Sequence, residues 1–114
     1  MIRLGIAGCG TVGGGVVRLL RENGDALAAR AGESFEIARV AVRDARKKRP
    51  GVPAARITTR VDELWKDPSV DIVVELLGGT QAARRVVMES LRAGKPVVTA
   101  NKALLAEFGS EIMA

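Results

Sequence analysis

The chain has 114 residues, enough for one domain with a buried core. It contains a single cysteine and no histidine, which excludes an internal disulfide and argues against a His/Cys metal site. No apolar run has the length of a membrane span, and the amino terminus lacks the apolar core of a signal peptide, so a cytoplasmic protein is expected. The net charge is +5, and residues 39–49 carry the whole excess because acids and bases balance elsewhere.

The first elements are a strand and a helix. Residues 2–7 form a short apolar run and predict a buried strand. Residues 11–23 change to a helical period, and Gly24 is placed to cap that helix. The predicted core face of the helix consists of Val12, Val16, Leu19 and Asn23, with Leu20 beside it.

Strands and helices continue to alternate along the chain. The predicted elements are a further helical turn within 25–33 that ends in a loop at Gly32, strands at 35–42, 57–59, 71–77 and 96–99, and helices at 61–66, 80–93 and 102–108. This alternation predicts parallel strands with right-handed crossovers. We therefore expect an α/β domain over residues 1–114, with an open, doubly wound parallel sheet in three αβα layers.

A glycine-rich turn joins the first strand to the first helix. Residues 8–13 read GCGTVG and fit G-x-G-x-x-G, the Rossmann dinucleotide-binding pattern, in the required strand–turn–helix context. The glycines allow a tight turn and a close approach of the backbone to a pyrophosphate, which the helix N-terminus attracts. The predicted cofactor contacts are Gly8, Cys9, Gly10, Thr11, Val12 and Gly13. A plain turn without ligand is the alternative, and Gly14 and Gly15 indicate close packing or close ligand approach.

The second predicted strand ends in Arg43 and Asp44. An acidic residue at this place holds the ribose hydroxyls of NAD, whereas a guanidinium can bind the 2′-phosphate of NADP. Arg43 comes first and further basic residues follow, so NADP is favoured over NAD. Asp44 leaves dual use open, and residues 46–49 can equally form a solvated loop.

Two more candidate segments follow later strands. Gly78, Gly79 and Thr80 come after the fourth strand, and Lys102 comes shortly after the fifth. Ligands of open α/β sheets bind beyond the carboxyl ends of the strands, so all the candidate segments are expected at one edge. Alternatively, Thr80 only caps a helix and Lys102 is a solvated surface lysine. Glu75 is unusual inside an apolar strand, and the sequence assigns it no role.

Four blocks of sequence resemble one enzyme family. The blocks are GCGTVGGGV at 8–16, VAVRD at 40–44, VELLGG at 74–79 and GKPVVTANK at 94–102, and together they resemble homoserine dehydrogenase. The resemblance covers essentially the entire chain. It implies interconversion of L-homoserine and L-aspartate 4-semialdehyde with NAD(P)H, in the biosynthesis of threonine, methionine and isoleucine.

The resemblance also implies residue roles. It implies backbone contacts to the pyrophosphate from Cys9, Thr11 and Val12, a 2′-phosphate contact from Arg43, a nicotinamide-side lining from Gly78, Gly79 and Thr80, and proton transfer to or from the substrate oxygen by Lys102. Family members continue into a second domain for dimerisation and substrate binding. We therefore expect an NAD(P)-binding domain that binds cofactor without turnover, with a small-molecule substrate and a homo-oligomer for the complete enzyme, and no nucleic-acid or membrane partner.

Three other interpretations remain open. The chain can belong to another two-domain dehydrogenase, of aspartate-derived aldehydes or of glyceraldehyde phosphate. Such an enzyme needs a catalytic cysteine, and Cys9 has no visible base partner for that role. It can also be a non-catalytic NAD(P)-sensing module in which Lys102 is structural. Nucleic-acid binding through residues 39–49 is disfavoured because the chain offers no aromatic platform.

Overall fold

The computed structural model describes residues 1–8, 11–43, 52–77 and 81–99. In chain order the elements are β1 (Ile2–Ala7), α1 (Thr11–Ala31), β2 (Phe35–Ala41), β3 (Ile57–Thr58), α2 (Glu63–Lys66), β4 (Ile72–Glu75), α3 (Gln81–Arg92) and β5 (Val97–Thr99). A short 3-10 turn at Ala54–Arg56 leads into β3. The helix predicted at 102–108 lies outside the described residues.

The five strands form one parallel sheet in the order β3-β2-β1-β4-β5. This confirms the predicted Rossmann-type doubly wound fold. The chain builds outward from β1 to β2 and β3, and then returns to the other side of β1 for β4 and β5. The sheet therefore has its topological switch point between β1 and β4, which is where ligands of such sheets bind.

Helices cover both faces of the sheet. Ile6 and Val40 point to one face, where they pack with Val17 of α1. Because strand side chains alternate, the next residues along each strand point to the other face and meet α2 and α3. The result is the expected αβα layering. Within the described residues, no helix combines the length and the apolar content that crossing a bilayer requires.

The two helical segments predicted at 11–23 and within 25–33 join into one helix, α1. It continues past Gly24 to Ala31, with one interruption at Asn23, whose φ of −123° and ψ of 16° are not helical. The prediction that Gly24 caps this helix is therefore wrong. Gly24 has no left-handed backbone, whereas Gly32, where the sequence predicts a loop, has a φ of +72° and follows the helix end as a C-terminal glycine does.

The predicted core face of α1 is also partly wrong. Leu19 is 48% exposed, whereas the neighbouring Val17 is only 3% exposed. The helix carries apolar residues at 16, 17, 19 and 20, more than one stripe needs, so two faces satisfy the helical period. The position of the sheet, which the helix sequence does not encode, selects the stripe around Val17.

Candidate functional site: the carboxyl edge of the sheet

Gly8 ends β1 and begins the glycine-rich turn. Its φ of +92° lies in the left-handed region, which side chains other than glycine rarely adopt. Its N–H donates to the carbonyl of Ala41 in β2 at 2.9 Å. A Cβ at this position would lie 3.1 Å from the carbonyl oxygen of Leu76, beyond β4. The turn thus starts between the exits of both neighbouring strands, at the switch point.

The amino end of α1 lies at the same edge. The helix begins at Thr11, three residues after Gly8, so its unpaired amides and the positive end of its dipole are at the carboxyl edge. Beyond them, a Cβ added at Gly14 or Gly15 would meet no described atom within 4 Å. Of the two interpretations for these glycines, close packing within the described chain has no support.

Arg43 is exposed just beyond β2. Its neighbour Val42 extends the ladder by donating its N–H to the carbonyl of Thr58 at 2.8 Å, so the backbone leading to Arg43 is fixed. Within the described chain, no carboxylate forms an ion pair with Arg43. Ala41, two residues before Arg43, accepts the hydrogen bond from Gly8. Arg43 therefore follows the end of β2 that lies beside the start of the glycine-rich turn.

Arg39 differs from Arg43, the other described base within residues 39–49. Its guanidinium pairs with Asp67 at 3.0 Å and with Glu63 at 3.8 Å. Its charge is therefore neutralised inside the domain, and it does not belong with Arg43. Sequence composition alone grouped the two residues because it could not show these acidic partners.

Glu75 is a buried carboxyl group at the same edge. Its accessible fraction is 0%, and its Oε1 accepts a hydrogen bond from the backbone N–H of Leu77 at 2.7 Å. Its Oε2 accepts a hydrogen bond from the hydroxyl of Thr99. The sequence marks Glu75 as unusual, but only the parallel register, which sets it opposite Thr99, reveals a role.

The other predicted site residues are not all described. The structure describes the backbone of Thr11, Val12 and Gly13 as the start of α1. Outside the described residues are Cys9, Gly10, Gly78, Gly79, Thr80 and Lys102. Their assignments stay predictions, and the structure brings together Gly8, the start of α1 and Arg43.

A surface hollow of about 280 Å³ lies at the opposite edge. It is lined by residues of the second half of α1 and of the start of β2, among them Leu20, Gly24, Ala28 and Phe35. Phe35 pairs with Ile2, the first residue of β1, so this hollow faces the amino ends of the strands. It is separate from the edge that carries the candidate site.

Known proteins resemble this chain over nearly its full length. A family model described as "Homoserine dehydrogenase, NAD binding domain" matches residues 8–114. The homoserine dehydrogenase of Bacillus subtilis is 42% identical over 114 residues, which is 99% of this chain and 26% of that protein. The homoserine dehydrogenase of Corynebacterium glutamicum is 45% identical over 111 residues, which is 97% of this chain and 25% of that protein.

Solved structures agree with these sequence matches. A homoserine dehydrogenase from Thiobacillus denitrificans superposes with a TM-score of 0.91 at 44% identity, over 98% of this chain and 26% of that one. The enzyme from S. aureus at pH 7.0 gives a TM-score of 0.85 at 35% identity, over 97% of this chain and 29% of that one. The chain thus spans about a quarter of the length of the relatives it matches. It belongs to the family of homoserine dehydrogenase NAD-binding domains.

Proposed function

We propose that this chain binds NADP(H) along the carboxyl edge of its sheet. As the nucleotide-binding part of a homoserine dehydrogenase, it would serve the interconversion of L-homoserine and L-aspartate 4-semialdehyde. The observation that carries the proposal is the position of Gly8. Its left-handed backbone begins the turn into α1 at the switch point between β1 and β4, where an open α/β sheet binds its ligand.

Each part of this edge has a role in the proposal. The amides of the turn after Gly8 and of the first turn of α1 bind the pyrophosphate. Arg43 binds the 2′-phosphate, which its exposure and lack of a described acidic partner support. Residues 78–80 line the nicotinamide side. The sequence spacing alone supports that assignment.

Lys102 completes the proposed chemistry. When bound, the nicotinamide accepts or donates the hydride. Lys102 takes the proton from the homoserine hydroxyl, or returns it to the aldehyde oxygen, as a general base or acid. It can do so at neutral pH if its surroundings favour the neutral amine.

The proposal places the substrate site outside these 114 residues. The relatives are about four times longer than this chain, and we propose that a further domain binds the amino acid and forms a homo-oligomer. The 114 residues alone therefore bind cofactor without turnover. A biosynthetic role of this kind is consistent with a cytoplasmic location, and it involves no nucleic-acid or membrane partner.

Nucleotide titration with thermal unfolding tests the proposal. A ligand at 100 times its Kd stabilises a protein by about 2.7 kcal/mol, so NADPH should raise the Tm by several degrees. NADH should raise it less. Equal shifts would contradict the role of Arg43, and no shift with either nucleotide would refute cofactor binding. NADPH formation from homoserine and NADP by the purified 114 residues would refute the absence of turnover.

A further inference from the structure

Glu75 is a polar exception within an apolar layer. It ends β4, and both it and Val73, two residues earlier on the same face, are 0% exposed. Burying a carboxyl group costs free energy unless hydrogen bonds replace its water contacts. An aliphatic residue would fill this place in the core without that cost. The retained carboxyl group therefore needs an explanation through its contacts.

The carboxyl group connects the carboxyl ends of two strands, the points where the chain leaves β4 and β5, which we call the strand exits. One oxygen accepts from the N–H of Leu77, which has already left β4. The other oxygen accepts from the hydroxyl of Thr99, the last residue of β5 and the direct neighbour of Glu75 in the ladder. The Leu77 bond lies beyond the regular ladder between β4 and β5. The side chain thus joins the two strands at their last paired residues and holds the first residues after β4 to the same carboxyl group.

These exits lead into the two later segments of the candidate site. Gly78 follows Leu77 directly, and Lys102 comes three residues after Thr99. On the other side, Glu75 pairs with Ala7, and the N–H of Leu76 donates to the carbonyl of Ala7 at 2.9 Å. Glu75 is therefore next to the strand that leads into the glycine turn.

We propose that Glu75 is a positioning residue that fixes the exits of β4 and β5 relative to each other. It thereby sets the position of Leu77 relative to Thr99, and the chain continues from these two residues to 78–80 and to Lys102. We call the two hydrogen bonds that Glu75 accepts, from Leu77 and from Thr99, the Glu75 tie. This tie is present in the chain without cofactor. Its consequence, correct placement of the nicotinamide side of the site, rests on the proposed function. A displacement of about 1 Å in such a site is enough to change its performance strongly.

The first experiment measures, without cofactor, the hydrogen bond between the N–H of Leu77 and the carboxyl group of Glu75. Amide hydrogen exchange is followed for Leu77 in wild type, Glu75→Leu and Val73→Ala. Because Glu75→Leu removes the acceptor of the Leu77 N–H, we expect exchange at Leu77 to become at least about tenfold faster. Val73→Ala is the matched control, since it removes packing from the same face of β4 and leaves the carboxyl group in place. Unchanged exchange at Leu77 in Glu75→Leu, or an equal change in Val73→Ala, would overturn the proposal.

The second experiment measures the consequence with NADPH. Thr99→Val keeps the shape of the side chain but removes the hydroxyl, whereas Thr99→Ser keeps the hydroxyl. At a temperature where all variants are folded, Thr99→Val should raise the NADPH Kd about tenfold, and Thr99→Ser and Val73→Ala should stay within about twofold of wild type. The comparison of Thr99→Val with Thr99→Ser also tests the proposal if Glu75→Leu fails to fold.

The outcomes separate this inference from the proposed function. If wild type binds NADPH and Thr99→Val binds it equally well, the positioning role is wrong and the proposed function stands. A loss of affinity in Thr99→Ser equal to that in Thr99→Val would overturn it as well. If wild type binds neither NADPH nor NADH, the proposed function fails, and exchange at Leu77 still decides whether Glu75 ties the two exits.

Discussion

The two edges of the sheet differ in how their charged groups are used. At the amino edge, charges are paired within the domain. Glu36 bridges Arg3 at 3.6 Å and Arg56 at 2.8 Å, and the carboxylate of Asp71 accepts from the backbone N–H of Arg3 at 2.8 Å. Lys95 donates to the backbone carbonyls of Asp67, at 2.9 Å, and Val70. These charged groups are therefore paired or hydrogen-bonded within the described part of the domain.

The carboxyl edge is arranged differently. Its buried carboxyl group, Glu75, connects two strand exits, while Arg43 is exposed without a described acidic partner. Its glycine turn opens with a backbone conformation that costs free energy in other residues. An exposed cation without a described acidic partner and a turn that requires glycine at one edge fit the proposed ligand site, whereas internal pairing at the other edge fits a role in stability. Substitutions at the two edges should therefore separate binding from folding.

Gly8→Ala should have the largest effect on binding. At a φ of +92° an alanine is strained by about 1–3 kcal/mol, and its Cβ would lie 3.1 Å from the carbonyl oxygen of Leu76. The turn must move to relieve both problems. We expect the Kd for NADPH, measured by fluorescence titration, to rise roughly 100-fold, together with a lower Tm.

Gly5→Ala is the matched control within the same strand. Its Cβ would lie 2.9 Å from Cγ1 of Val70 and 3.2 Å from Cδ2 of Leu64, so the core becomes overpacked at a cost of about 1–3 kcal/mol. Its Tm should fall, while its NADPH affinity at a temperature of full folding should stay that of wild type. The comparison of edges fails if Gly5→Ala weakens NADPH binding as much as Gly8→Ala does.

Arg43→Glu should have the next largest effect, and a selective one. Hydrogen bonds to charged groups contribute about 1.5–3 kcal/mol, so the NADPH Kd should rise about 10- to 100-fold. The NADH Kd should change little, because NADH has no 2′-phosphate. Arg18→Glu makes the same charge change on an exposed part of α1 and controls for long-range electrostatics. Parallel losses for both nucleotides would show that Arg43 does not read the 2′-phosphate.

The order of elements was predictable from the sequence because it depends on local signals. Apolar runs between glycines and prolines predicted all five strands, and the helix predicted at 80–93 is α3 at Gln81–Arg92. The parallel sheet then follows from the alternation of strands and helices. The start of the candidate site was predictable for the same reason, since Gly8 belongs to a short contiguous motif.

Contacts between distant segments were not predictable. Arg39 counted toward the basic excess of residues 39–49 until its partner Asp67, 28 residues away, was known. The role of Glu75 depends on its register with Thr99, 24 residues away, and on a hydrogen bond to Leu77. The buried face of α1 depends on where the sheet lies beneath it. In each case the deciding information is tertiary, and a helical or strand period contains none of it.

Asp67→Asn should have the smallest effect, at the amino edge, and it should depend on pH. Asp67 Oδ1 accepts from the N–H and the hydroxyl of Ser69 at 2.8 and 2.7 Å, and Oδ2 accepts from Arg39 at 3.0 Å. The Ser69 bonds, and then Arg39, lower the pKa of Asp67 from 3.8 to about 2. A folded-state pKa below the unfolded one stabilises the fold above about pH 4, and this contribution is lost as the pH falls from 3.8 toward 2.

The amide in Asp67→Asn still accepts from Ser69 but has no charge to lose. At pH 7 its free energy of unfolding should be about 1 kcal/mol lower, because solvent contact reduces the roughly 2 kcal/mol that the full shift represents. Between pH 5 and pH 2 its Tm should therefore fall less steeply than that of wild type. Asp25→Asn, on the exposed surface of α1, is the charge-matched control. Equal acid slopes for Asp67→Asn and wild type would contradict the role of Asp67. Weaker NADPH binding at pH 7 would instead mean that the two edges are coupled, because no described contact of Asp67 reaches the carboxyl edge.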